Sequence, residues 1–141
     1  MGNGWADPNM PLQHQLLSQL SQARGRAGGK GATHGKVIAE LMFGFWRLLI
    51  DARHSATLWA PALRHAFPHL RPKDRTEVYD RLKRVNKLRN RVAHYEPIHH
   101  LPLAELYDDV LTVAGWIDPT TATWIWSTTS GQLRRALASK P

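Results

Sequence analysis

Apolar positions recur along this chain at intervals of three and four residues, the spacing of one helical face, and nowhere alternate with period two for long enough to predict a strand. Leu12, Leu16, Leu17 and Leu20 predict a first short helix within residues 11–24, preceded by a loose tail from Met1 to Asn9. Five of the ten glycines fall in residues 25–35, which is too much backbone freedom for a helix. A mobile connection, open to ordering on binding, is expected there.

The clearest helix spans Val37 to Ala52, with Ile38, Leu41, Met42, Phe45, Leu48 and Leu49 on one stripe and Glu40, Gly44, Arg47 and Asp51 opposite. Trp59, Leu63 and Phe67 come next at i, i+4 and i+8, but Pro61 and Pro68 confine any helix there to a short piece that Pro61 can start. From Asp74 to Val92 a stripe of Val78, Leu82, Val85 and Val92 is surrounded by Arg81, Lys83, Arg84, Lys87 and Arg91, and Pro97 ends the pattern at the latest. Leu103 to Ile117 resumes it, with Leu106, Tyr107, Val110, Val113 and Ala114 inward and Asp108, Asp109 and Thr112 outward. A last helix is expected from about Thr120 to Ala138. Trp46, Trp59 and Trp116 lie in apolar patterns and read as core; Trp124 and Trp126 are open to either role. The expected fold is an all-α bundle of about five helices: a flexible segment 1–35 with a short helix and the glycine-rich loop, then a helical domain 36–141.

Composition narrows the function. A hydrophobic share of 43% in 141 residues can build a core, and 19 Lys+Arg against 11 Asp+Glu, a net charge of +8, favour an anionic partner such as nucleic acid or an acidic protein. The absence of cysteine excludes disulfides and thiolate metal sites. The longest apolar run, Val37 to Ile50, has 14 residues and is interrupted by Glu40 and Arg47, too short and polar to span a bilayer. Met1 to Pro8 lacks the basic-then-apolar pattern of a secretory signal, so no membrane association and a cytoplasmic location are expected.

Nine of the 19 Lys+Arg lie between Arg71 and Arg91, against three acids. Such a run is often only a solvated face, but its last turns hold a chemical set: Arg89, Asn90 and, after three more residues, His94. Arginine is a permanent bidentate phosphate ligand and imidazole exchanges a proton near neutrality. Together they are parts for cutting RNA without a metal. At about 100° per residue Arg89 falls inside the apolar stripe, where it requires an anion, a carbonyl cluster, a partner subunit or a salt bridge to Glu96 or Asp80. His94 lies about 140° around the helix from Arg89, so the two converge only if the helix distorts or two chains share a site.

Other constellations are weaker. His94, Glu96, His99 and His100 offer zinc or nickel ligands, but Pro97 breaks their helical spacing. His65 and His69 have Pro68 between them and no third ligand. The Gly35-Lys36 pair lacks both the earlier glycine, replaced by Lys30, and the Ser/Thr, replaced by Val37, of a phosphate loop.

Arg89-Asn90-(three residues)-His94, continued by Glu96-Pro97-Ile98, resembles the signature of the Abi-like, abortive-infection branch of the HEPN superfamily. The segments Glu40-Leu41-Met42-Phe43-Gly44-Phe45-Trp46, Leu58-Trp59-Ala60-Pro61-Ala62-Leu63 and Ala66-Phe67-Pro68 are similar to that branch too, extending the resemblance over residues 36–126. It implies a helical bundle that dimerises, with two motif helices forming one metal-independent, cofactor-free RNA-cleaving site. The RNA's own 2′-hydroxyl would attack phosphorus, leaving a cyclic phosphate and a 5′-hydroxyl. His94 would be the general acid/base, Arg89 would neutralise the phosphorane, and Asn90 would orient phosphate or imidazole. Arg84, Lys87 and Arg91 would hold the RNA backbone. The implied role is an antiphage toxin or abortive-infection effector, with a protein or RNA antitoxin as a further partner. Many members carry an extra N-terminal region. A related group of toxins has a modified tyrosine two places after the histidine; that place is Glu96 here and the tyrosine is Tyr95, so the same control is not implied. The competing readings are a non-catalytic RNA-binding or regulatory module, and a protein-binding dimer bridged by Arg89 and Glu96 whose basic surface meets an acidic antitoxin.

Overall fold

A computed structural model describes residues 11–139, the side chains of residues 11–13 excepted, so the expected tail at Met1 to Asn9 and the Leu12 side chain lie outside the described residues. Every regular element among the described residues is helical, in agreement with the all-α expectation. The chain divides after Pro61 into two compact units, and the glycine-rich segment lies within the first of them, against its first helix.

In the first unit α1 (Pro11–Arg26) is longer than its leucines alone predicted and carries Gly25 in its last turn. Gly28 and Gly29 then take φ values of 116° and 70°, a left-handed conformation that costs glycine no steric clash. They reverse the chain through a single 3₁₀ turn into α2 (His34–Ala39). Arg26 closes the reversal: its Nε meets Glu40 Oε2 at 3.1 Å and its Nη2 donates to the Glu40 carbonyl at 2.9 Å. The glycine run therefore takes a defined turn in this structure.

The predicted Val37–Ala52 helix is broken. Met42 is extended and α3 (Phe43–Leu49) starts after it, so α2 and α3 each lie against α1. Leu16, Phe45 and Leu48 form the buried cluster, with Leu20, Leu41 and Leu49 packed on it. The break turns Ile38, Met42 and Trp46 outward, and Trp46, expected in the core, is 42% exposed with its ring edge-on to Phe45. After a short turn capped by Asp51 and a π-turn at Ser55–Trp59, the unit ends with His54 and Trp59 buried.

In the second unit a 3₁₀ turn at Leu63–Ala66 leads to buried Phe67 and Leu70, and the His69 N–H donates to the Trp116 carbonyl at 3.0 Å. Three long helices complete the unit. α4 (Arg75–Ala93) is capped by Asp74, whose side chain accepts from the Thr76 N–H at 2.8 Å. α5 (Leu103–Ile117) packs against both α4 and α6 (Pro119–Ala138). Asp118 makes the corner alone: it closes α5 and accepts from the Thr120 and Thr121 N–H groups, with Pro119 as the first residue of α6. Tyr107 meets Thr129 at 2.8 Å and Gly115 lies beside Ala122, so α5 and α6 run antiparallel.

Burial of His54 holds its imidazole below the usual histidine range, outweighing the raising effect of Asp51. A folded-state value below the unfolded one means the unfolded chain binds the extra proton, so stability is present above about pH 6.5 and is lost as pH falls. Chemical denaturation of the native chain should show this loss between pH 7 and 5, and His54→Leu should flatten it.

Candidate nucleic-acid interface

The inward side of α4 is set by a charge cluster that its stripe did not reveal. Asp109, expected outward on α5, is 3% exposed. Arg84 donates to it twice, Nε to Oδ2 at 2.7 Å and Nη2 to Oδ1 at 2.8 Å, and Arg81 Nη1 donates to Oδ1 at 2.7 Å. Arg81 also lies over the Trp116 ring, 5.4 Å from its centre, and 3.6 Å from Glu77. The Arg84 hydrogen bonds, with those of Arg81, hold the Asp109 carboxyl below the usual carboxylate range against the opposing effect of burial. The signal was present in the sequence: Asp109 is three residues after Leu106 and four before Val113, inside the stripe rather than opposite it. Arg84, expected to hold the RNA backbone, donates from two nitrogens of its planar fork to Asp109.

This pairing also fixes where α5 stops covering α4. Asp109 faces residues 81 and 84, so α5's first residue, six places earlier, stands level with about residues 87–90 of the antiparallel α4. Val78 is fully buried and Leu82 and Val85 half-buried, but Arg89 and Val92, on the same stripe, are exposed. The burial that would have forced a partner onto Arg89 within the chain is therefore absent. Its Nη1 donates to Asn90 Oδ1 at 3.3 Å, and no carboxylate among the described residues pairs with it. Glu96, proposed as its partner, lies instead 3.6 Å from Arg91 Nε.

The outward side of α4 carries Lys83, Lys87, Asn90 and His94 within a sector of about 60°, all exposed. His94 is the C-cap, and its N–H still donates to the Asn90 carbonyl at 3.0 Å, so the helical ladder reaches it without distortion. Its ring has no hydrogen-bond partner among the described residues. Arg89 and His94 thus remain on different sides of the helix end, and one chain does not bring them together. Asn90 stands between, touching Arg89 and sharing the face of His94.

Beyond His94 the helix closes by two backbone bonds, Tyr95 N–H to the Val92 carbonyl (3.2 Å) and Glu96 N–H to the Arg91 carbonyl (2.9 Å). This closure puts one residue in the left-handed region, a place usually given to glycine or asparagine. Tyr95 occupies it, at φ 57°, at a cost of about 1–2 kcal/mol. Where such an end often has an apolar contact, Arg91 pairs with Glu96, and its Nη1 also donates to the Pro97 carbonyl at 3.0 Å and to His100 Nε2 at 3.2 Å. Arg91, assigned to RNA, is spent on this loop. His99 and His100 meet edge-on, ring centres 5.5 Å apart, and among the described residues no three His, Asp or Glu side chains form a metal-binding group. No helix among them is long and apolar enough to cross a membrane.

The chain matches no protein-family model, no curated protein and no solved structure. What the surface can do therefore rests on its own residues: a cation, an amide and an imidazole at a helix end, continuous with two exposed lysines.

The Asp109 cluster sets a test of its own. Asp109→Asn removes the buried partner of two guanidiniums and should destabilise the second unit by about 3 kcal/mol, the low end for a broken buried pair because Arg84 is half-exposed and can return to water. A carboxyl held below its unfolded value gives stability that is present above about pH 4 and lost as pH falls further. Denaturation of the native chain followed down to pH 2 should show that loss, and the Asn variant should lack it.

Proposed function

We propose that this chain is a metal-independent RNA endonuclease of HEPN type, acting in the cytoplasm as an abortive-infection or toxin effector against phage and held in check by a protein or RNA antitoxin. The observation that carries the reading is the exposed end of α4, where Arg89, Asn90 and His94 meet solvent beside Lys83 and Lys87. These groups supply what phosphodiester transesterification needs. An imidazole takes the proton of the 2′-hydroxyl, the freed oxygen attacks phosphorus, the bond to the 5′-oxygen breaks, and an imidazolium returns a proton to that oxygen. A guanidinium offsets the charge that grows on the phosphorane.

One helix end holds Arg89 about 140° from His94, so the active form is a homodimer in which each motif completes the other. Two copies also bring two imidazoles, one to accept a proton and one to donate. The uncovered stripe residues Arg89 and Val92 supply the surface for that contact. The separation within one chain equally supports a second reading, a non-catalytic RNA-binding or regulatory module in which the same cations only hold RNA.

The purified chain and an Arg89→Ala/His94→Ala variant, incubated with total cellular RNA and a metal chelator, should differ. The native chain should give fragments ending in cyclic phosphate and 5′-hydroxyl, and the double variant none. Singly, Arg89→Ala should lower the rate by about 10²–10³ and His94→Ala by about 10²–10⁴. Bound but intact RNA with both proteins would establish the binding module instead, and a monomer by light scattering at micromolar concentration would remove the composite site.

A further inference from the structure

Among the exposed large hydrophobic residues described in the second unit Tyr95 is the most open to solvent, 97% exposed, and it stands so from a backbone conformation that disfavours it. An exposed tyrosine that served only solubility would be replaced at no structural loss by glycine or asparagine, which suit the left-handed position better. The surroundings hold the backbone there: the Tyr95 and Glu96 N–H groups close the helix end, and Arg91 ties the chain beyond it through Pro97, His100 and Glu96. Strain kept in place by its surroundings marks positions where conformation serves a function. Tyr95 also follows His94 directly in the chain, at the end of the helix whose outward side carries Lys83 and Lys87, two cations one helical turn apart, about 6 Å along the axis.

From this juxtaposition we infer that Tyr95 is a stacking platform for an unpaired nucleobase, which seats single-stranded RNA with its backbone along Lys83 and Lys87 and one phosphate beside His94. The inference rests on the proposed RNA function and specifies its substrate as single-stranded. In a duplex both faces of every base are covered by neighbours and a protein ring has nothing to stack on, whereas an unpaired base offers a free face. The lysines supply attraction without position, since a phosphate chain can slide along two point charges. A base stacked on the residue next to His94 would set which linkage stops there. Tyr95 is thereby a positioning residue: it orders the strand, and the proton transfers belong to His94.

The test separates stacking from charge and from folding. A short single-stranded 2′-O-methyl RNA, which cannot attack its own phosphate, is titrated into the full chain and into Tyr95→Phe, Tyr95→Asn and Lys87→Ala variants over a range of salt. Tyr95→Phe should bind within twofold of the native chain. Tyr95→Asn should melt no lower than the native chain yet bind about 5- to 150-fold more weakly, the effect of losing one stacked base. Its salt dependence should be unchanged, whereas Lys87→Ala should reduce the logarithmic salt slope by about one. On an oligomer lacking its bases the native chain and Tyr95→Asn should bind alike.

Native-like RNA binding by Tyr95→Asn overturns the inference while leaving the RNA function intact. So does a Tyr95→Asn variant that turns a native dimer into a monomer, because the ring would then belong to a contact between copies. No binding of any RNA by the native chain at low salt removes the RNA function itself, and the inference with it.

Discussion

The carboxylate of Asp109, held between Arg81 and Arg84, decides how the second unit is put together. A buried charge left without partners costs several kcal/mol, so of all the ways α4 can slide along α5 only one gives Asp109 its three hydrogen bonds. A shift of one helical turn would leave Asp109 with one of its two arginines and take the other guanidinium away from it. Apolar packing alone discriminates poorly here, because valine and leucine stripes repeat with the same period as the turn. The ion cluster therefore adds less to stability than to the choice of a single arrangement. It also sorts the cations of α4: Arg81 and Arg84 are neutralised by Asp109 within the fold, and Lys83 and Lys87 are left exposed.

The same register makes the candidate site. Because α5 begins level with about residues 87–90 of α4, the last turn of α4 overhangs its partner, and a stripe that starts as core ends as surface. Val78 and Val92 belong to one stripe, yet the first is fully buried and the second 54% exposed. Exposure of Arg89 thus depends on where a neighbouring helix starts, a property of the pair and not of α4.

The three long helices were legible to within a residue or two because each combines an apolar stripe with its own punctuation: Asp74 before α4, Pro97 after it, and Asp118-Pro119 between α5 and α6. Where the pattern lacked punctuation it misled. Val37 to Ala52 has helical spacing throughout, and no proline or asparagine marks the break at Met42, which depends on packing against α1 and on Arg26 reaching Glu40. Of the candidate site, the common face of Lys83, Lys87, Asn90 and His94 comes from spacing alone. The commitments of Arg84 and Arg91 do not, since their partners lie 25 residues away in one case and in a folded loop in the other. Tyr95 was hidden for a different reason: the residue that normally announces a left-handed helix end is glycine, and it is not there.

That absence shapes the energetics of the helix end. An exposed pair such as Arg91 and Glu96 contributes at most about 1 kcal/mol, which does not by itself offset the left-handed tyrosine at about 1–2 kcal/mol. The remainder falls to two backbone bonds and the Pro97 carbonyl, each worth about 1 kcal/mol net. The loop is therefore held by several weak contacts that converge on one guanidinium, and the position of the His94 and Tyr95 backbone is tied to the fork of Arg91. On the proposed RNA reading, a cation that sequence logic would send to the phosphate backbone does more by staying at home, because an unfixed loop would lose ordering entropy at every binding event and a fixed one has already done so.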